Sequence, residues 1–509
     1  MSSVYANYPP ALSPEQQQFL VTETKDWAIQ NGLAVRPAPT AYADPNRSLA
    51  TNAPVTLFPS PFPKLCFEEA QALQTIYNQL YARITCNEEW LGKIIQELTD
   101  VDDFVANLWK THLTVKEEGY VQSLSLGLYR SDYMAHVTSD APPALKQVEF
   151  NTISSSFGGL SALVGKLHNH LISSTAGLPS YPPHPLLQSG TVPTNNTVET
   201  LAGGLATAHK AYGSSKSSPE LPLCVLFIVQ DGERNVFDQL ALVKQLTEHH
   251  KIPVFRVTSN KILDQSSIST SNPSRPLVFT PAHSSSSAFE VTTVYLRAYY
   301  SPDEYTSSRD WEARRHLERS AAIKCPSVLN QLAGCKKIQQ VLAEPTGPDH
   351  LSSFLKDIDP ALISRLRDTF APQYDISAAG QGRDLALNSK TAMDHVLKPQ
   401  REGGGNNIYK SEIPEFLRTI PEADWKGWVL MELINPAGSA ANVALRNDGE
   451  VLRGNVISEL GIYGTILWDT KGDILHNDQG GWLLRTKGKE VNEGGVAAGF
   501  SSLDSPLLF

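Results

Sequence analysis

Lys398-Pro-Gln-Arg-Glu-Gly-Gly-Gly-Asn-Asn-Ile-Tyr409 is the most informative segment of this chain of 509 residues, and it directly follows an apolar run ending at Leu397. Three consecutive glycines let the backbone approach a phosphate chain and present N–H groups to it. Lys398 supplies a positive charge for phosphate oxygens, and Glu402 supplies a hard oxygen ligand for Mg²⁺. The segment lacks the Gly-Lys-Ser/Thr ending of a Walker A loop. It therefore predicts a different phosphate-binding loop, with a glycine-rich hairpin turn carrying solvated charges as the alternative.

A second polar motif, Glu149-Phe-Asn151, stands at the end of a strand predicted over residues 145–150. Strand alternation places the Glu149 and Asn151 side chains on one face. A carboxylate and an amide oxygen on one face are suitable ligands for Mg²⁺. The alternative is a strand-end cap with an Asx turn.

The predicted helices and strands outside the middle of the chain indicate a mixed α/β protein. Apolar residues recur at helical spacing in residues 12–35 and 67–120, and residues 122–129 predict a strand. Two later helical regions are predicted at 311–317 and 332–342. The C-terminal third returns to predicted strands at 392–397, 427–434, 442–445, 455–457 and 462–468.

The middle of the chain contains a βαβ pattern. Apolar runs at 223–229 and 253–257 flank a helical segment at 236–249, which is typical of buried parallel strands joined by a crossover helix. A further strand is predicted at 291–296. The Pro/Ser/Thr/Asn-rich stretch 178–221 suggests a linker or surface loop, and the serine-rich stretch 266–287 suggests an exposed insertion.

Composition limits the possible function classes. The net charge of −10 is unfavourable for a general nucleic-acid or membrane-surface binder, which needs a basic field. Five cysteines without CxxC spacing argue against a disulfide scaffold and against a cysteine zinc site. No apolar run has the length of a membrane span, and the N-terminal residues lack a signal-peptide pattern. We expect a cytoplasmic protein with neither nucleic acid nor membrane as a partner.

Several motifs taken together resemble the eukaryotic glutathione synthetase family. They occur in that family's order between about residue 120 and residue 500, and the last has the character of its alanine-rich loop. The motifs are Gln147-Val-Glu-Phe-Asn-Thr-Ile-Ser-Ser-Ser-Phe-Gly-Gly159, Leu332-Ala-Gly-Cys-Lys-Lys-Ile-Gln-Gln340, Lys398–Tyr409, Ile457-Ser-Glu-Leu-Gly461, Leu484-Arg-Thr-Lys487 and Gly494-Gly-Val-Ala-Ala-Gly499.

The resemblance implies an ATP-grasp fold, a mixed α/β (α+β) architecture with an inserted parallel α/β substrate-binding domain. Residues 1–221 would form the N-terminal part of the ATP-grasp body, 222–330 the substrate-binding domain, and 331–509 the C-terminal part with the glycine-rich and alanine-rich loops. The implied enzyme is a homodimeric ATP-dependent peptide ligase. It would join glycine to γ-glutamylcysteine through an acylphosphate, with ATP as co-substrate and two Mg²⁺ per active site.

The resemblance also implies roles for individual residues, carried over from matching motif positions. The metal ligands would be Glu149, Asn151 and Glu402, and the groups nearest the chemistry Arg485, Lys398 and Glu402. ATP would contact Glu149, Lys336, Lys398, Gly403, Gly404, Gly405, Asn406, Asn407, Tyr409, Met431, Glu432, Leu433, Ile434, Glu459, Lys487 and Glu493. The peptide and acceptor substrates would contact Arg130, Ser154, Ser156, Glu233, Arg234, Asn235, Gln239, Arg297, Arg485, Val496 and Ala497.

Three positions deserve separate expectations. After Arg297 the family usually has Asp-Gly-Tyr, whereas this chain has Ala298-Tyr299-Tyr300, so the conformation of the substrate loop is open. Glu493 stands where the family usually has Asp, which weakens its expected nucleotide contact. We expect Lys337 to be solvated, because it neighbours Lys336 on a helix and faces another way.

Other functions are compatible with parts of the pattern. A homoglutathione-type ligase would keep the chemistry and use β-alanine as acceptor. A non-catalytic nucleotide or thiol-peptide binding protein would not need the set of Glu149, Asn151, Lys398 and Glu402. A hydrolase built on Cys325 or Cys335 lacks an evident histidine partner. The small side chains of residues 494–499 favour glycine as the acceptor.

Overall fold

The computed structural model shows a mixed α/β protein built on two separate larger sheets. It describes residues 7–38, 44, 46–138, 141–173, 181–269, 271–283, 287–402, 405–436, 440–491, 496 and 501–509. Within these residues the α-helices are α1 Pro14–Asn31, α2 Lys64–Cys86, α3 Glu88–Leu98, α4 Asp103–Glu118, α5 Gly158–Ser173, α6 Thr197–Tyr212, α7 Val236–Lys244, α8 Ile262–Gln265, α9 Ser308–Glu318, α10 Val328–Ala333, α11 Lys336–Ala343, α12 His350–Phe354, α13 Pro360–Asp368, α14 Gln381–Leu387 and α15 Glu412–Leu417.

The strands are shorter on average and are numbered in the same way. They are β1 Ala34–Val35, β2 Thr51–Asn52, β3 Val55–Thr56, β4 Ser60–Phe62, β5 Leu124–His136, β6 Ala144–Asn151, β7 Leu223–Val229, β8 Val254–Thr258, β9 Ser266–Ile268, β10 Leu277–Phe279, β11 Phe289–Leu296, β12 Ile323–Cys325, β13 Gln373–Asp375, β14 His395–Pro399, β15 Ile408–Tyr409, β16 Trp428–Glu432, β17 Ala441–Leu445, β18 Val451–Asp469, β19 Ile474–Gly488, β20 Ser502–Asp504 and β21 Pro506–Leu508.

A thirteen-stranded mixed sheet forms the body of the described chain. Its middle is antiparallel, with β18 paired to β5 on one side and to β19 on the other. The second half of β18 is buried, whereas its first half, up to Glu459, is exposed or half-buried. Because that first half extends beyond the core, its polar side chains can line a cleft instead of packing.

One end of the same sheet is parallel. Strands β8, β7, β11 and β12 run in the same direction, and β12 continues the pairing to β5. The predicted βαβ unit is confirmed, since α7 connects β7 to β8. Six of the seven residues of β7 are buried, as an uninterrupted apolar strand covered on both faces should be.

A second, four-stranded antiparallel sheet has the order β13–β16–β14–β15. Helices α14 and α15 pack against this sheet and share an apolar core with it. That core includes Tyr374, Leu397, Ile413 and Leu430. Strand β14 ends at Pro399, and the rest of the glycine-rich segment runs from the end of this strand toward the cleft.

The N-terminal helices follow the sequence expectations, with boundaries set by capping. Helix α1 begins after Ser13, whose hydroxyl accepts a hydrogen bond from the N–H of Gln16, and it ends at Gly32 with a left-handed φ of 79°. The predicted helical region 67–120 is three helices, because Asn87 and Asp102 cap the starts of α3 and α4.

Three expectations about the chain's organisation were wrong. The stretch 178–221 is not only a linker, because it contains the four-turn helix α6, packed against β18 and β19. The stretch 266–287 is not only an exposed insertion, because β9 and β10 add an antiparallel pair to the edge of β11. The strands predicted at 455–457 and 462–468 are one strand, β18.

The predicted α/β class is confirmed, and the domain boundaries after residues 221 and 330 stay predictions. Among the described residues no helix is both long enough and apolar enough to span a bilayer.

Candidate active site

A cleft of about 450 Å³ lies where the first half of β18, the end of β6 and the four-stranded sheet meet. Nineteen of the residues singled out in the sequence line it. They are Arg130, Glu149, Asn151, Ser154, Ser156, Lys336, Lys398, Glu402, Asn406, Asn407, Tyr409, Met431, Glu432, Leu433, Ile434, Glu459, Arg485, Lys487 and Val496.

Other predicted site residues are placed differently. Gly405 is described but is not part of the cleft wall, and Gly403, Gly404, Glu493 and Ala497 lie outside the described residues. The remaining predicted substrate residues do not line the cleft and lie at or near the parallel strands β7 and β11. They are Glu233, Arg234, Asn235, Gln239 and Arg297.

Two carboxylates and one lysine form the centre of the cleft. Nζ of Lys336, at the first residue of α11, lies 2.8 Å from Oε2 of Glu149 and 3.4 Å from Oε2 of Glu402. Burial raises the pKa of Glu402 to about 7, and the neighbouring Glu149 adds to that rise while Lys336 opposes it. Burial also acts to raise the pKa of Glu149, but Lys336 and Lys398 more than offset it and hold that pKa well below its usual range. Glu149 therefore stays ionised near neutral pH, whereas Glu402 is readily protonated.

Lys398 is the second buried cation of the cleft. Its Nζ donates a hydrogen bond to the carbonyl of Val148 at 2.9 Å. Burial lowers the pKa of Lys398 to about 8, and the positive charge of Lys336 acts in the same direction while Glu149 opposes it. An anion such as a phosphate would raise this pKa again and stabilise the charged form, because it would compensate the desolvation.

Asp132 organises the opposite wall, although the sequence analysis did not single it out. It is fully buried on β5 and accepts hydrogen bonds from Arg130 at 2.6 and 2.8 Å, and from Arg485 at 3.0 Å. It also accepts from the amide nitrogen of Asn151 at 3.0 Å. Asp132 stands two residues after Arg130 on the same strand face, and that spacing could have identified it. Arg485 also contacts Glu459, its partner across β18 and β19.

The four-stranded sheet supplies an apolar wall. Met431 and Val396 are buried side by side on β16 and β14, with Tyr409, Leu433 and Ile434 packed against them. Beyond this wall the backbone N–H of Leu433 donates to the carbonyl of Asp394 at 2.8 Å. A flat ring can lie on such a surface beside polar backbone atoms, which suits an adenine base.

The predicted dipeptide residues gather around a second buried aspartate that the sequence analysis did not identify. Asp238 on α7 is 3.0 Å from Nη1 of Arg297 and accepts hydrogen bonds from the N–H groups of Phe157 at 2.9 Å and Gly159 at 2.7 Å. Its Oδ2 is 3.4 Å from Nδ2 of Asn235. Asp238 therefore joins the predicted substrate helix to the loop after Asn151.

Glu233 and Gln239 extend this cluster. Nε2 of Gln239 donates to Glu233 at 2.9 Å, and its Oε1 accepts from Arg256 at 2.6 Å. Nε of Arg234 donates to the carbonyl of Arg36 at 3.1 Å. Arg256 is a further cation that the sequence motifs did not indicate.

The substrate loop has a defined conformation despite its departure from the family pattern. Tyr299 adopts a φ of 70°, a left-handed conformation in which the family's glycine would be unstrained. Its N–H donates to Glu304 at 2.8 Å, and its carbonyl accepts from Gln331 at 2.9 Å. The neighbouring Tyr300 lines the cleft and accepts a hydrogen bond from Gln230 at 3.0 Å. The buried surroundings of Tyr299 thus hold the strained turn.

The expectation that Lys337 is solvated was wrong. Lys337 is buried, and its Nζ lies 2.6 Å from Oδ2 of Asp375 at the end of β13. Its helix position does face away from Lys336, but that side packs against the four-stranded sheet instead of water.

The cysteines do not offer a nucleophile. Burial raises the pKa of Cys335 to about 12, and burial places the pKa of Cys325 far above its usual range. Without a populated thiolate neither side chain can attack a substrate. This weakens the hydrolase alternative.

The cleft residues fit a hard divalent cation, although no group of three or more His, Cys, Asp or Glu side chains gathers in the described part of the chain. Glu149 and Glu402 are close enough to share one lysine ammonium, so a cation of higher charge could take that position. The amide nitrogen of Asn151 donates to Asp132 and to the carbonyl of Arg130, which leaves its oxygen for a ligand role. Carboxylate and amide oxygens are the ligands that Mg²⁺ prefers.

The two sheets, the buried lysines, the paired carboxylates and the apolar wall agree with the ATP-grasp ligase that the motifs imply. A family model described as eukaryotic glutathione synthase, ATP binding domain, matches residues 14–508. The chain therefore belongs to the eukaryotic glutathione synthetase family.

Individual relatives match this chain over nearly their whole length. The glutathione synthetase large chain of Schizosaccharomyces pombe is 38% identical, with 97% of this chain and 98% of that protein covered. Human glutathione synthetase is 36% identical, with 98% and 99% covered. A solved structure of a glutathione synthetase-like effector from Globodera pallida, in its apo form, has a TM-score of 0.74 at 22% identity over 98% of both chains, which supports the fold.

Proposed function

We propose that this chain joins glycine to γ-glutamylcysteine in an ATP-dependent reaction that yields glutathione, ADP and phosphate. The main support is that one cleft is lined by Glu149, Lys336, Lys398, Glu402 and Arg485. The chain that contains this cleft matches the family model from residue 14 to residue 508. Membership of that family makes the chain an ATP-dependent peptide ligase of glutathione synthesis.

The reaction would proceed in two steps. The cysteinyl carboxylate of the dipeptide attacks the γ-phosphorus of ATP, and the bond to the β,γ-bridging oxygen breaks to give an acylphosphate and ADP. The amine of glycine then attacks the acyl carbon, loses a proton and expels phosphate. The protein contributes orientation and charge compensation, with no covalent intermediate on a side chain.

Each buried cation has a place in this scheme. Lys336 and Lys398 would bind phosphate oxygens of ATP, and the anion would keep both side chains charged. Arg485 stands between Asp132 and Glu459, where it would face the phosphoryl group during transfer. The apolar wall around Met431 would hold the adenine ring.

Magnesium belongs to the proposal through the residues that would bind it. Glu149, Asn151 and Glu402 would hold the cation, which compensates phosphate charge when bound. In its absence Lys336 partly compensates the two carboxylates. Exchanging one ammonium for a divalent cation would leave Lys336 free to reach the phosphate chain.

The dipeptide would bind between the Asp132 wall and the Asp238 cluster. Arg130 donates to the carbonyl of Ser156 at 3.2 Å, so the serine loop already lies against the cationic wall. Ser154 in this loop has a φ of 51°, and such strain is common in ligand-binding loops. Arg297 would supply a second guanidinium for a substrate carboxylate. Glu233, Arg234, Asn235 and Gln239 would complete the pocket.

We further propose that the chain acts in the cytoplasm as a homodimer, without nucleic-acid or membrane partners. The net charge of −10 supports the absence of a general nucleic-acid surface. The acceptor is glycine in this proposal, and a homoglutathione-type ligase using β-alanine is the alternative.

The decisive experiment measures phosphate release by the purified chain with ATP, Mg²⁺ and γ-glutamylcysteine, and offers glycine, β-alanine, alanine or serine as acceptor. We expect kcat/KM for glycine to exceed that for β-alanine by roughly 10–200-fold, because one extra methylene displaces the attacking amine. Mass spectrometry should identify glutathione as the product. A preference for β-alanine would instead establish the alternative ligase.

The same assay separates an enzyme from a binding protein. Phosphate release at the full rate should require both the dipeptide and an acceptor. Binding of ATP and γ-glutamylcysteine without any phosphate release, under conditions where a relative of known activity turns over, would contradict the proposal.

A further inference from the structure

The first five residues of the glycine-rich segment, Lys398–Glu402, comprise the last two residues of β14 and the three that follow it into the cleft, and we call them the stem. Four of its side chains are held by different parts of the fold. Lys398 donates to the carbonyl of Val148 at 2.9 Å, and Glu402 pairs with Lys336. Oε1 of Gln400 accepts a hydrogen bond from the N–H of Lys337 at 3.0 Å. The remaining side chain is that of Arg401.

Arg401 is held by Asp102, a residue from none of the motifs that indicate the family. Nη1 of Arg401 contacts Oδ2 of Asp102 and donates to the carbonyl of Gln400 at 2.6 Å. The Asp102 side chain is only 6% exposed, whereas that of Arg401 is 31% exposed and lines the cleft. Asp102 is thus the more buried partner, and it anchors the Arg401 side chain.

Asp102 serves two elements with its two oxygens. It is the N-cap of α4, and its Oδ1 accepts hydrogen bonds from the N–H groups of Phe104 and Val105, both at 3.1 Å. Its Oδ2 is thereby directed to Arg401. Because capping fixes the carboxylate against a four-turn helix, the ion pair ties the stem to the N-terminal body of the protein.

We propose that Asp102 is a positioning residue for ATP, which acts by anchoring Arg401 and therefore the adjoining Glu402. This inference rests on the proposed ATP-dependent function. Glu402 follows Arg401 directly, so a shift of the Arg401 backbone moves the carboxylate beside Lys336. A displacement of about 1 Å in such a group can cost on the order of a hundredfold in rate.

The chain contains a comparison pair in which an aspartate also caps a helix and pairs with an arginine, but on the protein surface. Asp349 is the N-cap of α12, accepts from the N–H of Ser352 at 3.1 Å and lies 2.6 Å from Nη2 of Arg367. Both side chains are about half exposed, at 52% and 47%, and neither lines the cleft. An exposed pair of this kind contributes little to stability.

The test compares Asp102→Asn with Asp349→Asn. Asparagine caps helices as well as aspartate does, so both variants should keep their helix starts and lose only the charge toward arginine. We expect Asp102→Asn to raise the KM for ATP about tenfold, since Glu402 would be less well placed although every side chain proposed to bind phosphate or metal is still present. The KM for γ-glutamylcysteine should stay at the value of the Asp349→Asn variant, whereas the apo-protein Tm should fall somewhat further in Asp102→Asn because its ion pair is more buried.

Two further measurements separate positioning from general damage. Calorimetric titration with a non-hydrolysable ATP analogue and Mg²⁺ should show the same loss of affinity without any turnover. Arg401→Gln should reproduce the ATP defect, and the Asp102→Asn/Arg401→Gln double variant should be no worse than either single one, because both break the same contact.

Several results would overturn the inference. An unchanged KM and Kd for the nucleotide in Asp102→Asn would show that the pair does not position the stem. Equal losses for ATP and dipeptide, together with a Tm drop well beyond that of Asp349→Asn, would assign Asp102 a structural role only. Absence of turnover in the wild-type chain would contradict the proposed function instead, and the titration would still decide the role of Asp102.

Discussion

Gly461 and Arg130 approach each other so closely that a Cβ atom on Gly461 would lie 2.6 Å from Cδ of Arg130. It would also lie 2.8 Å from Oδ1 of Asp132, which holds the guanidinium. We expect Gly461→Ala to displace the Arg130–Asp132 pair and lower kcat/KM for γ-glutamylcysteine by roughly tenfold to a hundredfold. Steady-state kinetics of phosphate release with varied dipeptide will measure the effect.

Gly454→Ala is the matched control for that substitution. Gly454 lies on the same strand β18, and a Cβ there would meet no atom of the described residues within 4 Å. Its kinetics should equal those of the wild type. If Gly461→Ala is equally silent, the cationic wall does not depend on its present spacing.

Glu402→Gln should nearly abolish turnover while the fold persists. The substitution keeps the shape of the side chain but removes the negative charge that pairs with Lys336 and would bind the metal. Losing a metal ligand should slow kcat by a factor on the order of 10² or more. Phosphate release across a range of Mg²⁺ concentrations will measure this loss.

Glu344→Gln supplies the comparison, because Glu344 is a partly buried carboxylate that accepts from the N–H of Asp375 at 3.2 Å and does not line the cleft. It should retain normal turnover. Near-normal activity of Glu402→Gln at ordinary Mg²⁺ would contradict the metal assignment of Glu402.

Arg297→Ala should impair use of the dipeptide selectively. Arg297 is almost fully buried beside Asp238 and does not line the cleft, and within the described part of the chain its Nε has no hydrogen-bond partner. We expect the KM for γ-glutamylcysteine to rise roughly tenfold or more, because a charge-assisted contact to a carboxylate is lost. The KM for ATP should change little.

Arg275→Ala tests whether loss of any buried arginine has the same effect. Arg275 is also buried, and its Nη1 lies 2.6 Å from Oε1 of Glu118, away from the cleft. Its removal should lower Tm and leave the dipeptide KM unchanged. Equal increases of both substrate KM values in Arg297→Ala would indicate a structural role for that residue.

His168 should make stability fall in acid. Burial lowers its pKa from 6.5 to about 4, and its Nε2 donates to the carbonyl of Thr56 at 2.9 Å. Between these two values the unfolded chain binds the proton and the folded chain does not, so this stability is present above about pH 6.5 and is lost as the pH falls toward 4. The loss should approach roughly 1.4 kcal/mol per pH unit.

Urea unfolding of the wild type and His168→Gln at several pH values will isolate this contribution. Glutamine can still donate to Thr56 but cannot be protonated, so the variant should lose part of the acid dependence. His170→Gln, on the exposed side of the same helix, is the control and should keep the wild-type slope. Identical slopes in all three proteins would show that His168 is not responsible.

Local pattern was sufficient wherever burial imposes a simple rule. The strand predicted at 223–229 is β7, because a strand covered on both faces must be apolar throughout. The helix α6 escaped notice because glycines and threonines lower its helix propensity. Packing explains one of them, since a Cβ on Gly204 would lie 2.9 Å from Thr465. That requirement comes from β18, more than 250 residues away, and no local pattern contains it.

The sequence by itself determined the chemistry of the site. Its motifs supplied the glycine-rich segment, the paired carboxylates Glu149 and Glu402, and the cations Lys336, Lys398 and Arg485, and their order along the chain indicated the family. These features are local, since a residue's functional groups and its motif neighbours are visible without a fold.

Only the tertiary structure decided which charges meet. It buried Lys337 against Asp375, placed Asp132 between two arginines, and set Asp102 beside Arg401 from nearly 300 residues away. Coulomb attraction and desolvation depend on distance in space and on burial, not on separation along the chain. The positions of the partners are therefore properties of the folded protein, although every partner was present in the sequence.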